Sequence, residues 1–294
     1  MTEQFKRTLG GAILMDGELV RDEIVARLRQ ESEAAGSPPV CLATVLVGDD
    51  KPSHIYVRWK HKKAEEAGMV SKGLELPGSA SQAQVEDAVS AFAADPSVHG
   101  ILVQLPIPKN LDTEKVLSLV PPEKDIDGLT ELSMGRLIRG LPGHVPCTPL
   151  GVMRLLARYD IPTKGKRAVV IGRSTLVGLP QILLLLRKGT DATVTGAHSI
   201  TPDLVEVCRE ADIIISAVGV ARIITAKHVK PGATVIDVGV SRVESKIVGD
   251  VDFDDVQKVA GAITPMPGGT GPMTIGCLLE NTLEAAKMLG AFPR

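Results

Sequence analysis

The sequence predicts a two-domain α/β protein built on largely parallel sheets. Short runs rich in β-branched residues alternate with longer amphipathic stretches along most of the 294 residues, which is the pattern of successive strand–helix–strand units. One run, residues 40–47, is almost entirely apolar, as expected of a parallel strand that is covered on both faces. A segment rich in glycine and proline, residues 140–149, interrupts the alternation and indicates the domain boundary.

The elements of the first half follow from these runs and from the residues that end them. Gly48 follows the first strand, and Gly68 ends the next helix, since glycine readily takes the left-handed conformation at a helix C-terminus. The predicted elements are a helix over 17–34, a strand over 40–47, a helix over 53–67, a strand over 73–76, a helix from Ser81 and a strand over 100–104.

The second half repeats the alternation of strands and helices after a connecting helix. The predicted elements are that helix over 148–159, a strand over 168–171, a leucine-rich helix over 182–186, strands over 192–195, 213–218 and 234–238, and a final helix over 275–289. Such a succession predicts a doubly wound, Rossmann-like sheet in this half of the chain.

The bulk composition excludes several classes of protein. A net charge of −2 provides no basic field for nucleic acid or for an anionic membrane, and no apolar run approaches the ~20 residues that span a bilayer. The first residues are polar and lead into no signal-type apolar core, so we expect a cytoplasmic protein. The four cysteines are scattered and are expected to be buried thiols rather than metal ligands.

A glycine turn at the start of the second half favours a dinucleotide site. Residues 168–171 run directly into Gly172, Arg173 and Ser174, and a helix follows Gly178. The free N–H groups at such a helix N-terminus bind phosphate. The pattern departs from GxGxxG, because Ser174 takes the place of the second glycine and Gly178 comes one residue late. A plain strand-to-helix turn is the alternative.

The end of the next strand favours NADP over NAD. An NAD-binding domain usually carries Asp or Glu about 20 residues beyond the glycines, to hold the ribose hydroxyls. Residues 195–199 contain no acid, whereas Arg173 and the hydroxyl of Ser199 could bind a ribose phosphate. A charge-assisted hydrogen bond of this kind contributes ~1.5–3 kcal/mol, which is roughly a ten- to hundredfold preference. The alternative is a solvated loop arginine.

One helix of the first half carries candidate catalytic residues. Ser53, Tyr56 and Lys60 are spaced by three and four residues, so they share one face of the predicted helix. A lysine that moves protons near pH 7 needs its pKa lowered from ~10.4 to about 7–8. Gln104, at the carboxyl end of a buried strand, is the expected neutral partner. The alternatives are a core tyrosine, a solvated lysine and a glutamine that only caps its strand.

Two loops are further candidates for the site. Asp125 and Asp127 lie two residues apart after a Pro-Pro pair and suit either a metal ion or the edge of an aminopyrimidine-like ring. No other acidic or histidine cluster completes a metal shell, so we expect no metal; carboxylates that only stabilise turns are the alternative. Residues 264–274 contain three prolines and three glycines, so backbone there can approach a flat ligand closely, unless the segment is only an irregular connection.

Together and in this order, these segments resemble the methylenetetrahydrofolate dehydrogenase/cyclohydrolase family. The resemblance extends over nearly the whole chain. The matching segments are Tyr56-Val57 with Lys60, residues 100–106, residues 124–128, residues 146–149, Gly172-Arg173-Ser174 and Pro267-Gly268-Gly269.

The resemblance implies two reactions in one cleft between the domains. These are NADP-dependent oxidation of methylene-tetrahydrofolate to the methenyl form and hydrolysis of that form to formyl-tetrahydrofolate. It implies that Lys60 is the catalytic lysine, that Gln104 modulates it by a hydrogen bond, that Tyr56 stacks on the folate and that Asp127 holds the pterin. Ser53 would join the folate contacts.

The resemblance also implies the remaining contacts and the domain limits. The loop Pro267-Gly268-Gly269 would line the same cleft. The implied NADP contacts are Gly172, Arg173, Ser174, Ser199 and the backbone at Val240. The catalytic folate-binding domain would comprise residues 1–147 with the C-terminal helix 274–294, and the NADP-binding domain residues 148–273. A homodimer formed through the cofactor domains is implied as well.

A few positions depart from the family pattern, and three rival functions stay open. Thr270 stands where valine is usual, Ser133 where asparagine is usual and Glu18 where lysine is common. The rivals are a dehydrogenase without hydrolysis, a folate- or nucleotide-binding protein without catalysis, and an unrelated amino-acid or shikimate-type dehydrogenase. The last would need an arginine for a substrate carboxylate, and Arg58, the nearest candidate, lies off the face of Lys60.

Overall fold

The computed structural model describes residues 5–244 and 246–292. Its helices are α1 (Gly17–Ala34), α2 (Lys51–Glu66), α3 (Gln82–Ala94), α4 (Thr113–Ser118), α5 (Glu131–Arg139), α6 (Cys147–Arg158), α7 (Gly178–Leu186), α8 (Leu204–Arg209), α9 (Phe253–Val256) and α10 (Thr270–Met288), with a 3-10 turn at Ala226–His228.

The strands alternate with these helices, as the sequence predicts. They are β1 (Ile13–Leu14), β2 (Cys41–Val47), β3 (Val70–Leu76), β4 (Gly100–Val103), β5 (Arg167–Ile171), β6 (Thr193–Ala197), β7 (Ile213–Ser216), β8 (Thr234–Asp237), β9 (Ser241–Val243), β10 (Lys246–Val248) and β11 (Ala262–Ile263). The α/β fold class with parallel sheets is confirmed.

The chain divides into two compact units. One, the three-stranded unit, comprises Asp22–Cys147 and the described residues from Ile275 onward. The other, the six-stranded unit, comprises the described residues up to Arg21 and Thr148–Thr274. A catalytic domain of residues 1–147 was expected from the sequence. Residues 5–21 belong to the six-stranded unit instead, because β1 pairs in parallel with β11.

The three-stranded unit is built around β2. The parallel sheet has the order β3-β2-β4, and every residue of β2 is buried, as the apolar run 40–47 predicts. The face that carries Val45 and Ile101 packs against α3 and α4 through Val85, Val89 and Val116. Helix α3 begins where predicted, because the Ser81 hydroxyl and the Gln84 side chain form a capping box. This packing fixes the position of β4. It therefore also places Gln104, the residue after β4, at the carboxyl edge of the sheet.

The six-stranded unit is a parallel sheet with the order β1-β11-β8-β7-β5-β6. The chain leaves β5 to form β6 on one side and returns to form β7 on the other side. Ligands of doubly wound sheets bind at such a reversal of strand order, outside the carboxyl ends of the strands. The loop that follows β5, which contains Gly172, lies at this position.

Several short elements were not predicted. Helix α4 has six residues and α5 has nine, which leaves too few turns for a clear apolar period. The antiparallel hairpin of β9 and β10 has three-residue strands that are mostly exposed, so its sequence carries no buried pattern. Among the described residues, no helix is long and apolar enough to cross a membrane.

Candidate active site and cofactor site

Helix α2 presents Lys60 to the interior of the three-stranded unit. Asp50 caps the helix N-terminus, accepting hydrogen bonds from the backbone N–H and the hydroxyl of Ser53 at 2.9 and 2.7 Å. Lys60, two turns on, is 5% exposed, while Tyr56 between them is 41% exposed. A solvated lysine and a core tyrosine are therefore both wrong for this helix. The Ser53 side chain is buried and has a structural role in the cap.

Gln104 is the hydrogen-bonding partner of Lys60. The Lys60 Nζ donates to Gln104 Oε1 at 2.8 Å, and Gln104 Nε2 donates to the carbonyl oxygen of Leu105 at 2.8 Å. The second bond fixes the amide orientation, so that its oxygen faces the lysine. The Gln104 backbone N–H continues the ladder of β4 by donating to Val45. The pair predicted from two distant segments of sequence therefore meets in the structure.

Burial gives Lys60 and Asp127 opposite pKa shifts. Desolvation lowers the pKa of the Lys60 ammonium, and the negative charge of Asp127 opposes this by a smaller amount. Desolvation raises the pKa of the Asp127 carboxyl, opposed in turn by the Lys60 charge. Both effects favour the uncharged forms. Burial therefore favours the neutral amine, the form in which a lysine acts as a base, more than solvent exposure does.

The residues of the 124–128 loop have separate roles. The Lys124 Nζ donates to the carbonyl oxygens of Ala93 and Asp95 at 2.9 and 2.8 Å, so it closes the C-terminus of α3. The Asp125 carboxylate accepts the backbone N–H of Thr130 at 2.9 Å. Asp125 thus stabilises a turn, as the alternative interpretation proposed. Asp127 is the carboxylate of this loop that acts on Lys60.

Asn281 of α10 holds this loop and was not predicted. Its Nδ2 donates to the carbonyl oxygens of Ile126 at 2.7 Å and Val145 at 3.1 Å, and its side chain is buried. A buried asparagine inside the apolar pattern of α10 is the sequence signal that could have identified it. Cys147 is also buried here, and its Sγ donates to the Ile126 carbonyl at 3.3 Å.

The loop after β5 is a turn whose glycines are required by the backbone. Gly172 has φ +123°, and a Cβ there would lie 2.5 Å from the carbonyl oxygen of Ala217. A Cβ on Gly178 would overlap with the Gly172 carbonyl. Ser174 stabilises the turn, because its hydroxyl accepts the Val177 backbone N–H at 3.2 Å. The loop therefore returns closely on itself and leads into α7 at Gly178.

The side chains around this turn are open to solvent. Arg173 and Ser174 are exposed, and so is Ser199, which follows the end of β6. Val240, in the loop after β8, is 58% exposed. A glycine turn with no room for a Cβ, next to an exposed arginine, suits the phosphates of a dinucleotide. The predicted cofactor residues all belong to the six-stranded unit.

The segment Pro267-Gly268-Gly269 also belongs to the six-stranded unit. Gly268 has φ +106°, and its carbonyl oxygen accepts the Gly17 N–H at 2.8 Å. The next residue, Thr270, is buried, and its hydroxyl donates to the carbonyl oxygen of Asp237 at 2.8 Å. This bond gives a structural reason for a hydroxyl at the position where the sequence analysis noted a departure from valine.

The cysteines are distributed over both units. All four cysteines are buried, as expected. Across residues 5–244 and 246–292, no group of three or more His, Cys, Asp or Glu side chains is arranged to hold a metal ion.

Comparison with known proteins gives consistent similarities along the chain. Residues 15–127 match the family model described as the tetrahydrofolate dehydrogenase/cyclohydrolase catalytic domain, and residues 146–289 match that family's NAD(P)-binding domain. The bifunctional protein FolD of Methanospirillum hungatei is 51% identical over 275 residues, which cover 94% of this chain and 98% of that protein.

Solved structures show the same similarity. The bifunctional methylenetetrahydrofolate dehydrogenase/cyclohydrolase of Campylobacter jejuni superimposes with a TM-score of 0.90 at 44% identity, covering 94% of this chain and 98% of that one. The corresponding enzyme of Trypanosoma brucei, solved with NADP and an inhibitor, gives a TM-score of 0.89 at 38% identity, with the same coverage.

Proposed function

The chain belongs to the tetrahydrofolate dehydrogenase/cyclohydrolase family, and we propose that its buried Lys60–Gln104 pair performs the hydrolytic half of the family's two reactions. The protein is a bifunctional enzyme. It oxidises 5,10-methylenetetrahydrofolate to the 5,10-methenyl form with NADP and hydrolyses that form to 10-formyltetrahydrofolate. The observation that carries the assignment of residues is the 2.8 Å bond from the buried Lys60 to a fixed Gln104 oxygen.

In the hydrolysis, Lys60 acts as the base and then as the acid. Its pKa is lowered by burial, so the neutral amine is available to take a proton from water as the water oxygen bonds to the methenyl carbon. The resulting ammonium returns the proton to the ring nitrogen as its bond to the carbon breaks, and the remaining hydroxyl proton of the intermediate is released to solvent as the formyl C=O bond forms. Gln104 accepts a hydrogen bond from one N–H of Lys60 throughout. This bond orients the other N–H groups and the lone pair of the Lys60 nitrogen toward the substrate.

Tyr56 and Asp127 are proposed to hold the folate. The exposed ring of Tyr56 lies one turn before Lys60 on the same face of α2, where a flat pterin could stack on it. Asp127 can accept hydrogen bonds from the donor edge of the pterin. The charge of Asp127 also interacts with the charge of Lys60. This interaction would link folate binding to the hydrolytic chemistry. Ser53 orders the start of the same helix, and Pro267, Gly268 and Gly269 are proposed to contribute further folate contacts from a loop poor in side chains.

NADP is the hydride acceptor of the oxidation, and its proposed site is the turn after β5. Gly172 allows the backbone to approach the phosphates, and Ser174 orders the turn that leads into α7. Arg173 and Ser199 are proposed to bind the ribose phosphate, and the backbone at Val240 to contact the cofactor from the neighbouring loop. Exposure of both polar side chains supports this assignment, because a phosphate partner must be reachable.

We also propose a homodimer and a cytoplasmic location for the protein. A homodimer through the cofactor-binding parts is supported by the hairpin of β9 and β10, whose Val243 and Ile247 are nearly half exposed. A cytoplasmic location is supported by the four buried cysteines, which are free thiols, in a chain whose positive and negative charges nearly balance.

A spectroscopic assay tests the function directly. Purified protein is mixed with methylene-tetrahydrofolate and NADP, and NADPH, methenyl and formyl products are followed together. We expect NADPH formation with methenyl that passes to formyl faster than without enzyme. Accumulation of the methenyl product would contradict the hydrolytic role of Lys60. Absence of NADPH formation would contradict the cofactor assignment.

A further inference from the structure

Two buried carboxylates lie under the cofactor-side loops of the six-stranded unit. Asp250 is 0% exposed and Asp237 is 1% exposed. Asp250 accepts three hydrogen bonds: from the Ser216 hydroxyl at 2.9 Å and from the backbone N–H groups of Val218 and Val220, each at 2.8 Å. Its donors all come from the end of β7 and the loop that follows it, so this one side chain holds that loop.

Asp237 makes the complementary set of bonds at the end of β8. Its carboxylate accepts the backbone N–H groups of Asp250 at 2.9 Å and Val251 at 3.0 Å. Its own backbone N–H donates to the Thr264 hydroxyl, and its carbonyl accepts the Thr270 hydroxyl, both at 2.8 Å. Asp237 therefore joins β8 to the segment around Asp250 and to the segment before α10.

Two glycines show how closely the carboxylates are packed. A Cβ on Gly239 would overlap with the Asp250 carboxylate, and a Cβ on Gly249 would overlap with the Asp237 carboxylate. The loop of residues 238–241 is held further by Ser241, whose hydroxyl donates to the Gly219 carbonyl at 2.8 Å. The geometry of the two loops, 217–221 and 238–241, thus depends on the two aspartates.

The same two loops adjoin the proposed cofactor residues. Val240 belongs to the loop 238–241, and the carbonyl of Ala217 is the group against which Gly172 turns. Burying two carboxylates is costly, and hydrogen bonds from backbone N–H groups offset that cost only while the loops keep this geometry. Consistently, burial raises the pKa of Asp237 to about 7.

We propose that Asp250 and Asp237 are positioning residues for the dinucleotide, which set its affinity through the backbone of residues 217–221 and 238–241. This inference rests on the proposed cofactor site. Neither side chain is assigned a contact with the cofactor. Replacing Asp250 by asparagine turns one acceptor into a donor that faces N–H groups, so the loop it holds must shift.

The test compares Asp250→Asn with Asp254→Asn, an exposed aspartate four residues away. NADPH affinity is measured by equilibrium fluorescence titration, and the dehydrogenase kcat at saturating NADP is measured beside it. Hydrolysis of added methenyl-tetrahydrofolate without cofactor reports on the three-stranded unit. We expect NADPH to bind ten- to hundredfold more weakly to Asp250→Asn, kcat to stay within about twofold, hydrolysis to be unchanged, and Asp254→Asn to match the wild type.

Unchanged NADPH affinity in Asp250→Asn would overturn the proposal, and so would a parallel loss of affinity, kcat and hydrolysis in a folded variant. If Asp250→Asn does not fold, Ser216→Ala decides the matter. It removes a single bond to Asp250, and a several-fold weaker affinity with normal hydrolysis is expected, whereas wild-type affinity would reject the role. Wild-type protein that hydrolyses methenyl-tetrahydrofolate but binds no NADPH would instead contradict the proposed cofactor site.

Discussion

The proposed catalytic residues and the proposed cofactor residues differ in how they are placed in the fold. In the three-stranded unit, the functional nitrogen of Lys60 is buried, bonded to a fixed amide and shifted in pKa. In the six-stranded unit, Arg173 and Ser199 are exposed, and the specific feature is a glycine turn that admits no Cβ. A lysine that transfers protons near pH 7 needs a lowered pKa, which burial provides, while phosphate binding requires only accessible N–H groups and a permanent cation.

Replacing Lys60 by methionine should have the largest effect. Methionine fills a similar volume without a titratable group, so hydrolysis should fall by about 10²–10⁴-fold, the usual contribution of a general acid–base residue. Formation of formyl product from methenyl-tetrahydrofolate is the measurement. Lys62→Met is the matched control, since Lys62 is exposed on the same helix and should tolerate the change. Normal hydrolysis in Lys60→Met would reject the assignment.

The pH dependence of hydrolysis should reflect the buried lysine. Because burial lowers the pKa of Lys60, the rate should rise with pH and level off at a pH below 10.5. The unfolded chain then binds more protons than the folded one between the two pKa values, so this group makes stability rise with pH over that window. Rate and urea-unfolding profiles from pH 5 to 9 measure both, and Lys60→Met should lose the stability component.

Replacing Arg173 by alanine should act only on the cofactor. Loss of a charge-assisted bond to the ribose phosphate costs ~1.5–3 kcal/mol, so the KM for NADP should rise roughly ten- to hundredfold. The KM for NAD should hardly change, because NAD lacks that phosphate. Arg187→Ala, at an exposed arginine of the same unit, serves as the control. Equal losses with both dinucleotides would contradict the phosphate contact.

Replacing Asn281 by alanine should loosen the Asp127 loop. The Val145 carbonyl would lose the Asn281 donor and the Ile126 carbonyl would keep only the weak Cys147 thiol donor, which costs about 1–3 kcal/mol of stability. We expect a several-fold higher KM for the folate and unchanged NADPH affinity. Glu284→Ala, at an exposed position of α10, is the control. A folate KM equal to the wild-type value would show that Asn281 does not position Asp127.

Replacing Thr270 by valine should have the smallest effect. The two side chains have the same shape, but valine cannot donate to the Asp237 carbonyl, which costs about 1 kcal/mol. Thermal unfolding followed together with NADPH binding measures the loss, with Thr193→Val, on an exposed strand position, as the control. An unchanged melting temperature would show that this hydroxyl contributes nothing to the end of β8.

Local sequence patterns were sufficient to predict most of the fold and the proposed pair of Lys60 and Gln104. Helix α1 has the predicted bounds, and Lys60 and Gln104 were paired because a helix face and a strand end each have a recognisable local pattern. What could not be predicted depends on contacts between distant segments. The pairing of β1 with β11 and the bond from Asn281 to Ile126 join residues far apart in the chain, and no local pattern indicates which distant segment each of them contacts.

The motif at 124–128 shows the same limit at the scale of single residues. Sequence alone does not separate the roles of its charged side chains: Lys124 bonds to the C-terminus of α3, Asp125 holds a turn, and Asp127 interacts with the charge of Lys60. Only the surrounding packing distinguishes them.

The interrupted sequence of the three-stranded unit has a consequence for the growing chain on the ribosome. The segment up to Arg21, which belongs to the six-stranded unit, is synthesised first, then residues 22–147, then the rest of the six-stranded unit from Thr148, and only afterwards the portion of α10 that carries Asn281. Asn281 supplies the donors for the carbonyls of Ile126 and Val145. During translation these two hydrogen bonds can therefore form only after Thr148–Thr274 has been synthesised, so we expect the loop that carries Asp127 to be completed last.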